Sequence, residues 1–256
     1  MTLSLLSYFA CGLSAGLLGG YLGLGGGVVT IPYLTLISGI ELKAAVPLSV
    51  TAIVVNSISA STEYIKRGMV NFELMVSLGI FMTLGNVAGS IFGAPMPESV
   101  LQFLFGLTLL YTAYAFMRKP DPGNASGQTV DHKYYCLCLA AAFATGALGA
   151  MIGVGGGVII IPLMFVVFGL PLATARGTSS FLIGASSAAA VAVYFFSNRI
   201  DLGIAPPLLV GTIVGGKAGG YLGTAAKPKA VKLVFLALML YLAARFIYTA
   251  VATWTQ

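Results

Sequence analysis

GLGGGVVTIP (Gly23–Pro32) and GVGGGVIIIP (Gly153–Pro162) are two glycine-rich stretches with a common pattern, because in each a proline stands five residues after the last glycine. Both stretches lie inside strongly apolar sequence. Helix-breaking backbone is tolerated at membrane depth only where it is buried in protein or lines a polar cavity. The two stretches therefore predict a helix break that occurs twice in one membrane protein.

The composition supports a membrane environment. Hydrophobic residues make up 58% of the 256 residues, charged residues only 8%, and the mean hydropathy is +0.98. A soluble domain would carry about 25% charged residues. Segments such as LVFLALMLYLAA (Leu233–Ala244) are apolar on every face and lack the alternation that a β-barrel strand needs. The sequence predicts an all-α polytopic membrane protein.

The chain also matches itself without gaps after a constant shift that places Gly23 on Gly153. The matching positions are Gly16, Gly19, Gly23, Gly25–Gly27, Pro32, Ser49, Tyr64, Gly85, Gly89 and Gly93 with Gly146, Gly149, Gly153, Gly155–Gly157, Pro162, Ser179, Tyr194, Gly215, Gly219 and Gly223. This register predicts two homologous transmembrane repeats, residues 1–117 and 134–256. The polar stretch at 118–133 would be a cytoplasmic linker between them, since it is rich in loop-forming residues.

Each repeat contains five apolar segments. In the first repeat they are Thr2–Leu22, Gly27–Ile40, Ala44–Ile65, Phe72–Ala94 and Glu98–Met117, and the second repeat has its equivalents at the same constant shift. Four of the five approach the roughly 20 residues that cross a bilayer. The second, of about 14 residues, would reach only about 21 Å at about 1.5 Å per residue. We therefore expect four full-length helices and one short half-helix per repeat.

The basic residues indicate how the segments are oriented. If the short segment does not cross, the loops on the two sides carry six and five basic residues. If it counts as a passage, nine lie on one side and only Lys43 and Arg199 on the other, which is a positive-inside pattern. Five passages per repeat would make the repeats inverted, as in many secondary transporters. Both termini would then be extracytoplasmic in a bacterial inner membrane, although a re-entrant segment remains the alternative.

The glycines suggest a binding site. Gly25–Gly27 would leave free amides at the positive end of a short helix, and Gly155–Gly157 would bring a second helix start toward the first. Two converging helix starts could hold a small anion. The alternative is that the glycines only allow close helix packing. We assign the other repeated glycines to such packing, namely Gly85, Gly89, Gly93, Gly215, Gly219 and Gly223.

These motifs resemble the TauE/SafE family over essentially the whole chain. The resemblance is carried by the paired G-x-G-G-G-x4-P elements, by AAVPLSVTA (Ala44–Ala52), by TARGTSSF (Thr174–Phe181) and by the two-fold repeat. Gly177, Thr178 and Ser179 match the family's Gly-Thr-Ser, whereas the first copy has Pro47, Leu48 and Ser49. The resemblance implies transport of small sulfur-containing anions such as sulfite, sulfoacetate or related organosulfonates.

A few further polar residues are candidates for the site. Lys217 stands mid-helix among glycines and could offer a positive charge to an anion, or it could extend its ammonium toward a lipid headgroup. The hydroxyls of Ser49, Thr178 and Ser179 could donate to an oxyanion or act as helix caps. Arg176, just before Thr178, could guide an anion or only set topology.

Several function classes have no support in the sequence. There is no Ser/His/Asp set, no HExxH motif and no nucleotide-binding loop, and the three cysteines stand in apolar segments without nearby metal-ligating partners. We therefore expect no enzyme activity, no cofactor, no metal and no nucleic-acid partner. The basic residues lie in short loops, where they encode topology.

The resulting hypothesis is a proton-coupled secondary transporter of a small sulfur-containing anion in the lipid bilayer. Its site would comprise Gly25, Gly26, Gly27, Gly155, Gly156, Gly157, Ser49, Thr178, Ser179 and Lys217. A small-anion channel of the same architecture is the alternative. The sequence does not indicate an oligomeric state.

Overall fold

The structure is a computed structural model that describes residues 2–93, 95–118, 132–225 and 228–254. The described residues form helices and connecting turns and contain no strand. The helices are α1 (Thr2–Leu22), α2 (Gly27–Pro32), α3 (Leu42–Lys66), α4 (Phe72–Phe92), α5 (Glu98–Arg118), α6 (His132–Ile152), α7 (Gly157–Val166), α8 (Leu172–Phe196), α9 (Ala205–Ala225) and α10 (Pro228–Trp254). Most of the predicted linker, residues 119–131, lies outside the described residues.

Five helices are long and apolar enough to cross a membrane, within the part of the chain that the structure describes. They are Leu5–Leu22, Leu42–Lys66, Phe72–Phe92, Tyr135–Ile152 and Leu172–Phe196. The sequence predicted eight full-length segments. The helix α9 is long enough, but its mean hydropathy is lower than that of these five helices because it contains many glycines and Lys217. The protein is an integral membrane protein.

The short segments follow the glycine-rich turns as expected. Pro32 is the sixth residue of α2, and the backbone continues as a π-helical turn over Tyr33–Ile37. Proline has no N–H to donate to the carbonyl four residues earlier, so the regular α-helical pattern is interrupted there. The equivalent Pro162 is the sixth residue of α7, which stays α-helical to Val166.

Helices from the two halves of the chain pack against each other. The helix α1 packs against α9, α4 against α6, α3 against α8, and α5 against α10. Glycines make two of these contacts close. A Cβ on Gly85 would overlap the carbonyl oxygen of Phe143, and one on Gly215 would overlap that of Leu13. The packing role predicted for these glycines is confirmed.

Two sets of hydrogen bonds define the ends of the helix bundle. At one end, which we call the Tyr64 end, the Tyr64 hydroxyl donates to the carbonyl of Gly20 at 2.9 Å, so the ends of α3 and α1 meet. At the other, the Tyr194 end, the Tyr194 hydroxyl donates to the carbonyl of Ala150 at 2.9 Å, so the ends of α8 and α6 meet. The start of α3 lies here too, because Val46 contacts Gly153.

The course of the short segment follows from these ends. The helix α1 finishes at the Tyr64 end, and α3 starts at the Tyr194 end. The residues between them, 23–41, therefore lead from one end of the bundle to the other. The helical part, Gly27–Ile37, spans only about 16 Å at about 1.5 Å per residue, so the non-helical residues on either side supply the rest of the distance.

Candidate substrate site

The glycine-rich turns require glycine for conformational reasons. Gly25 and Gly26 have φ values of 79° and 90°, and Gly155 and Gly156 have 73° and 75°. Other L-residues rarely adopt this left-handed region, because the Cβ approaches the following carbonyl. Each turn reverses the chain after a long helix, and a short helix begins at the next residue, Gly27 in the first copy.

The two turns are in direct contact. A Cβ on Gly27 would overlap the carbonyl oxygen of Gly153, and a Cβ on Gly157 would lie 3.0 Å from the Cα of Leu24. The start of α2 therefore touches the second turn, and the start of α7 touches the first. The contact is made at the helix starts, whereas Gly26 lies against Ala15 and Gly156 lies against Thr145.

Some of the amides in these turns are free, as expected, and one is not. The N–H groups of Gly26, Gly27, Gly156 and Gly157 donate no hydrogen bond to the described chain. Unpaired N–H groups are normal at a helix start, where the helix dipole is positive. Gly155, however, donates to the carbonyl of Gly149 at 3.1 Å. The amide of Gly155 is therefore not available to a ligand, because its turn closes back on α6.

Ser49 and Ser179 connect the two halves of the protein. The Ser49 hydroxyl donates to the carbonyl of Gly153 at 2.6 Å, and the Ser179 hydroxyl donates to that of Gly23 at 3.1 Å. Both serines are fully buried. Each hydroxyl hydrogen is therefore used to hold the opposite turn, and the hydroxyls position the glycines in this conformation.

Replacement of Ser49 by alanine should lower stability measurably but modestly. Hydrogen bonds between membrane helices contribute on average about 0.6 kcal/mol and at most about 1.7 kcal/mol. We expect Ser49→Ala to lower the midpoint of thermal unfolding in detergent, and Thr51→Ala is the control, because the Thr51 hydroxyl bonds within its own helix to the Pro47 carbonyl. Equal midpoints for the two variants would contradict a cross-linking role for Ser49.

Two other predicted site residues are not brought to the glycine turns. The Thr178 hydroxyl accepts a hydrogen bond from the backbone N–H of Asn71 at 2.9 Å, which ties α8 to the start of α4. Lys217 is exposed on the outward side of α9, where it lines a groove of about 540 Å³ together with Glu63 and Tyr221. Glu63 in turn pairs with Lys66 at 2.9 Å.

The structure adds polar side chains that lie beside the turns without a hydrogen-bond partner. The side-chain nitrogen of Asn56 is 3.3 Å from the position of a Cβ on Gly26, and the Ser57 hydroxyl is 3.4 Å from that of a Cβ on Gly25. Both side chains are fully buried, and neither forms a hydrogen bond. Ser187, which aligns with Ser57, is also buried and unpartnered. Sequence reasoning missed Ser57 and Ser187, although two polar residues within an apolar helix are a visible signal.

Two isoleucines close the centre of the site. A Cβ on Gly155 would lie 2.8 Å from the Cγ2 atoms of both Ile53 and Ile183, which align with each other in the two halves. Next to the second turn, a cavity lined partly by Leu148 and Ile159 measures only about 10 Å³. A single water molecule needs at least about 10–15 Å³ on this measure. This cavity beside the second turn therefore has room for about one water molecule at most.

Comparison with known proteins identifies the family of this chain. The family described as "Sulfite exporter TauE/SafE" matches residues 8–246. The chain is 26% identical to the "Probable membrane transporter protein YunE" of Bacillus subtilis over 94% of this chain and 96% of that protein. It is 28% identical to a "Probable membrane transporter protein" of Xylella fastidiosa strain Temecula1, over 83% of this chain and 81% of that protein.

A third relative comes from an archaeon. It is the "Probable membrane transporter protein MJ0441" of Methanocaldococcus jannaschii, at 26% identity over 80% of this chain and 83% of that protein. No solved structure matches the chain at a significant level. Because the family match covers most of the sequence, this chain belongs to the TauE/SafE family and is a membrane transporter, not an enzyme.

Proposed function

We propose that the protein is a secondary transporter of a small sulfur-containing anion, namely sulfite, sulfoacetate or a related organosulfonate. The anion would be held between the two glycine-rich helix starts. The contact between the start of α2 and the second turn is the observation that carries the proposal, because it joins the starts of two short helices, one from each half, whose first amides are unpaired among the described residues. The family description supplies the class of substrate.

The groups around the turns suit an oxyanion. Backbone N–H groups of Gly26 and Gly156 and the side chains of Asn56 and Ser57 can all donate hydrogen bonds. None of the turn contacts described above involves a carboxylate. Burial in a low dielectric strengthens such donors when they face a negative charge. A buried neutral ligand would gain less from this arrangement.

We further propose that the halves are inverted repeats. Support comes from contacts that recur at equivalent positions of the two halves, such as those of Tyr64 with Gly20 and of Tyr194 with Ala150. Since α1 ends at the Tyr64 end and α6 at the Tyr194 end, corresponding helices run in opposite directions. Such symmetry allows a site at the repeat interface to open alternately to either side.

The orientation in the membrane is proposed from the positive charges. Lys66 is the last residue of α3 and Arg67 follows it at the Tyr64 end, whereas Lys43 and Arg199 belong to the Tyr194 end. The nine-to-two distribution counted from the sequence, which includes the buried Arg176 of α8, favours a cytoplasmic Tyr64 end and termini outside the cytoplasm. We also propose that the protein lies in a bacterial inner membrane.

A proton gradient is the proposed energy source. The sequence contains no ATP-binding motif, so ATP-driven transport would need a partner protein, whereas coupling to an ion gradient would not. A proton-coupled carrier would show saturable uptake that responds to a pH gradient. A channel of the same architecture would show uptake that rises linearly with anion concentration and is indifferent to pH.

The test is uptake of radiolabelled sulfite into proteoliposomes with and without a pH gradient, with organosulfonates as competitors. Asn56→Ala should raise the KM at least about tenfold, because a hydrogen bond to a charged group contributes about 1.5–3 kcal/mol and about 1.4 kcal/mol is a factor of ten. Its thermal midpoint should change little, since Asn56 has no partner in the protein to lose. Ser59→Ala is the control, because its hydroxyl bonds to the Val55 carbonyl within α3. Absence of flux for every sulfur anion would reject the substrate class.

A further inference from the structure

Arg176 is a buried cation that forms no ion pair with any of the described residues. Its side chain is 2% exposed, and its two terminal nitrogens donate to the carbonyls of Tyr21 at 2.8 Å and Gly223 at 3.0 Å. The ring of Tyr64 lies 6.0 Å from the guanidinium carbon. No ion pair with Arg176 occurs among the described residues, and its Nε has no hydrogen-bond partner.

The two carbonyls balance this charge only in part. Tyr21 and Gly223 stand in the last turns of α1 and α9, where the helix dipoles are negative. A dipole end provides a partial charge, whereas a buried guanidinium carries a full one, and buried charges are normally paired. The free Nε therefore marks a place where a counter-anion would be stabilised.

A second unpartnered donor lies one helical turn further along α8. Ser180 follows Arg176 by four residues, so the two side chains share one face of the helix. Ser180 is 1% exposed, and its hydroxyl has no hydrogen-bond partner. The same face continues to Gly184, where a Cβ would lie 2.8 Å from the Cβ of Ser57. Ser57 is the unpartnered residue beside the first glycine turn.

The other half of the protein lacks these groups. The residues of the first half that align with Arg176 and Ser180 are Val46 and Val50, which are both buried. Valine therefore satisfies the packing at the equivalent places of α3. The polar pair at the Tyr64 end is not a requirement of the repeated fold.

We propose that Arg176 and Ser180 form an anion-binding station between the Tyr64 end and the glycine turns. The station takes a small oxyanion, with Arg176 Nε and the Ser180 hydroxyl as donors, and Ser57 is the next donor on the way to the turns. It rests on the proposed function of anion transport and deepens it, because it gives the pathway a binding step on one side only. The ligand is recognised by charge and oxygen acceptors rather than by its sulfur atom.

Anion binding to the purified full-length protein in detergent tests the station. The thermal midpoint is followed during titration with sodium sulfite, sodium sulfate or sodium methanesulfonate, with sodium gluconate keeping the ionic strength constant. We expect a saturable rise for wild type. Ser180→Val should raise the half-saturating concentration at least fivefold, and Arg176→Lys at least tenfold, because lysine has no Nε donor. Ser90→Ala should bind as wild type, since its buried hydroxyl bonds within its own helix to the Val87 carbonyl.

The outcomes separate this proposal from the proposed function. The station is overturned if the half-saturating anion concentrations of Ser180→Val and Arg176→Lys both equal that of wild type. It is also overturned if anions do not raise the thermal midpoint of wild type. In either case, sulfite flux into proteoliposomes still tests the proposed function by itself. A different outcome would support the station and reject the proposed function. Anions would raise the thermal midpoint, Ser180→Val would weaken this effect, and the protein would transport no sulfur anion. If Arg176→Lys does not fold, Ser180→Val decides, because Val50 shows that valine fits the equivalent site.

Discussion

Gly27→Ala is expected to reduce sulfite uptake to below a tenth of the wild-type rate. Gly27 is in α2 and has an ordinary helical conformation, so alanine would by itself favour the helix by up to about 1 kcal/mol. The added Cβ, however, would overlap the carbonyl oxygen of Gly153 and lie 2.8 Å from the Cα of Val154. These are backbone atoms of the opposite turn and cannot rotate away. Initial uptake rates in proteoliposomes measure the effect.

Gly39→Ala is the matched control for this prediction. Gly39 has a φ of 67°, but a Cβ there would meet no atom within 4 Å. The left-handed conformation should cost about 1–2 kcal/mol of stability and leave uptake near the wild-type rate. A wild-type rate in Gly27→Ala would mean that the two turns are not in close contact in the transporting protein.

Gly85→Val is expected to have the largest effect on stability. The Cβ would overlap the carbonyl oxygen of Phe143, so α4 and α6 could no longer approach each other closely. Overpacking typically costs about 1–3 kcal/mol. At about 2–4 °C per kcal/mol for chains of this size, a loss of about 3 kcal/mol lowers the thermal midpoint by about 6–12 °C. Size-exclusion chromatography should also show a smaller monodisperse fraction.

Gly79→Ala tests whether this loss is specific to the interface between α4 and α6. Gly79 lies in the same helix, but a Cβ there would meet only the Leu182 Cδ1 atom, at 3.4 Å. We expect an unchanged or slightly higher midpoint, because alanine is a better helix former than glycine. A midpoint for Gly85→Val equal to that of Gly79→Ala would contradict close packing of α4 against α6.

Much of the local structure could be predicted because it depends on short-range properties. The predicted segment Phe72–Ala94 corresponds to the observed Phe72–Phe92, and Ala44–Ile65 to Leu42–Lys66. Long apolar runs form helices in a bilayer because their backbone groups must be satisfied within the segment. The position of the turns was equally readable, since only glycine accepts the left-handed conformation found at Gly26.

The candidate site was predictable only in part. The two glycine-rich turns do touch, as the sequence suggested. The sequence offered Ser49 and Ser179 as donors to an anion or as helix caps, whereas both hydroxyls bond to the opposite turn. The sequence also did not indicate that the amide of Gly155 bonds to Gly149. The type of a residue does not indicate whether its hydrogen-bond donor already has a partner within the protein, because that partner depends on the tertiary contacts.

By itself, therefore, the sequence determined a helical membrane protein with two glycine-rich breaks, since hydropathy and backbone preference are local. Only the tertiary structure decided which groups remain available to a ligand. Ser49 finds its partner 104 residues away, and Arg176 finds one 155 residues away in Tyr21. These contacts depend on the packing of helices from opposite halves, which no single segment specifies. For the same reason, only the folded chain leaves Asn56, Ser57 and Ser180 buried without a partner.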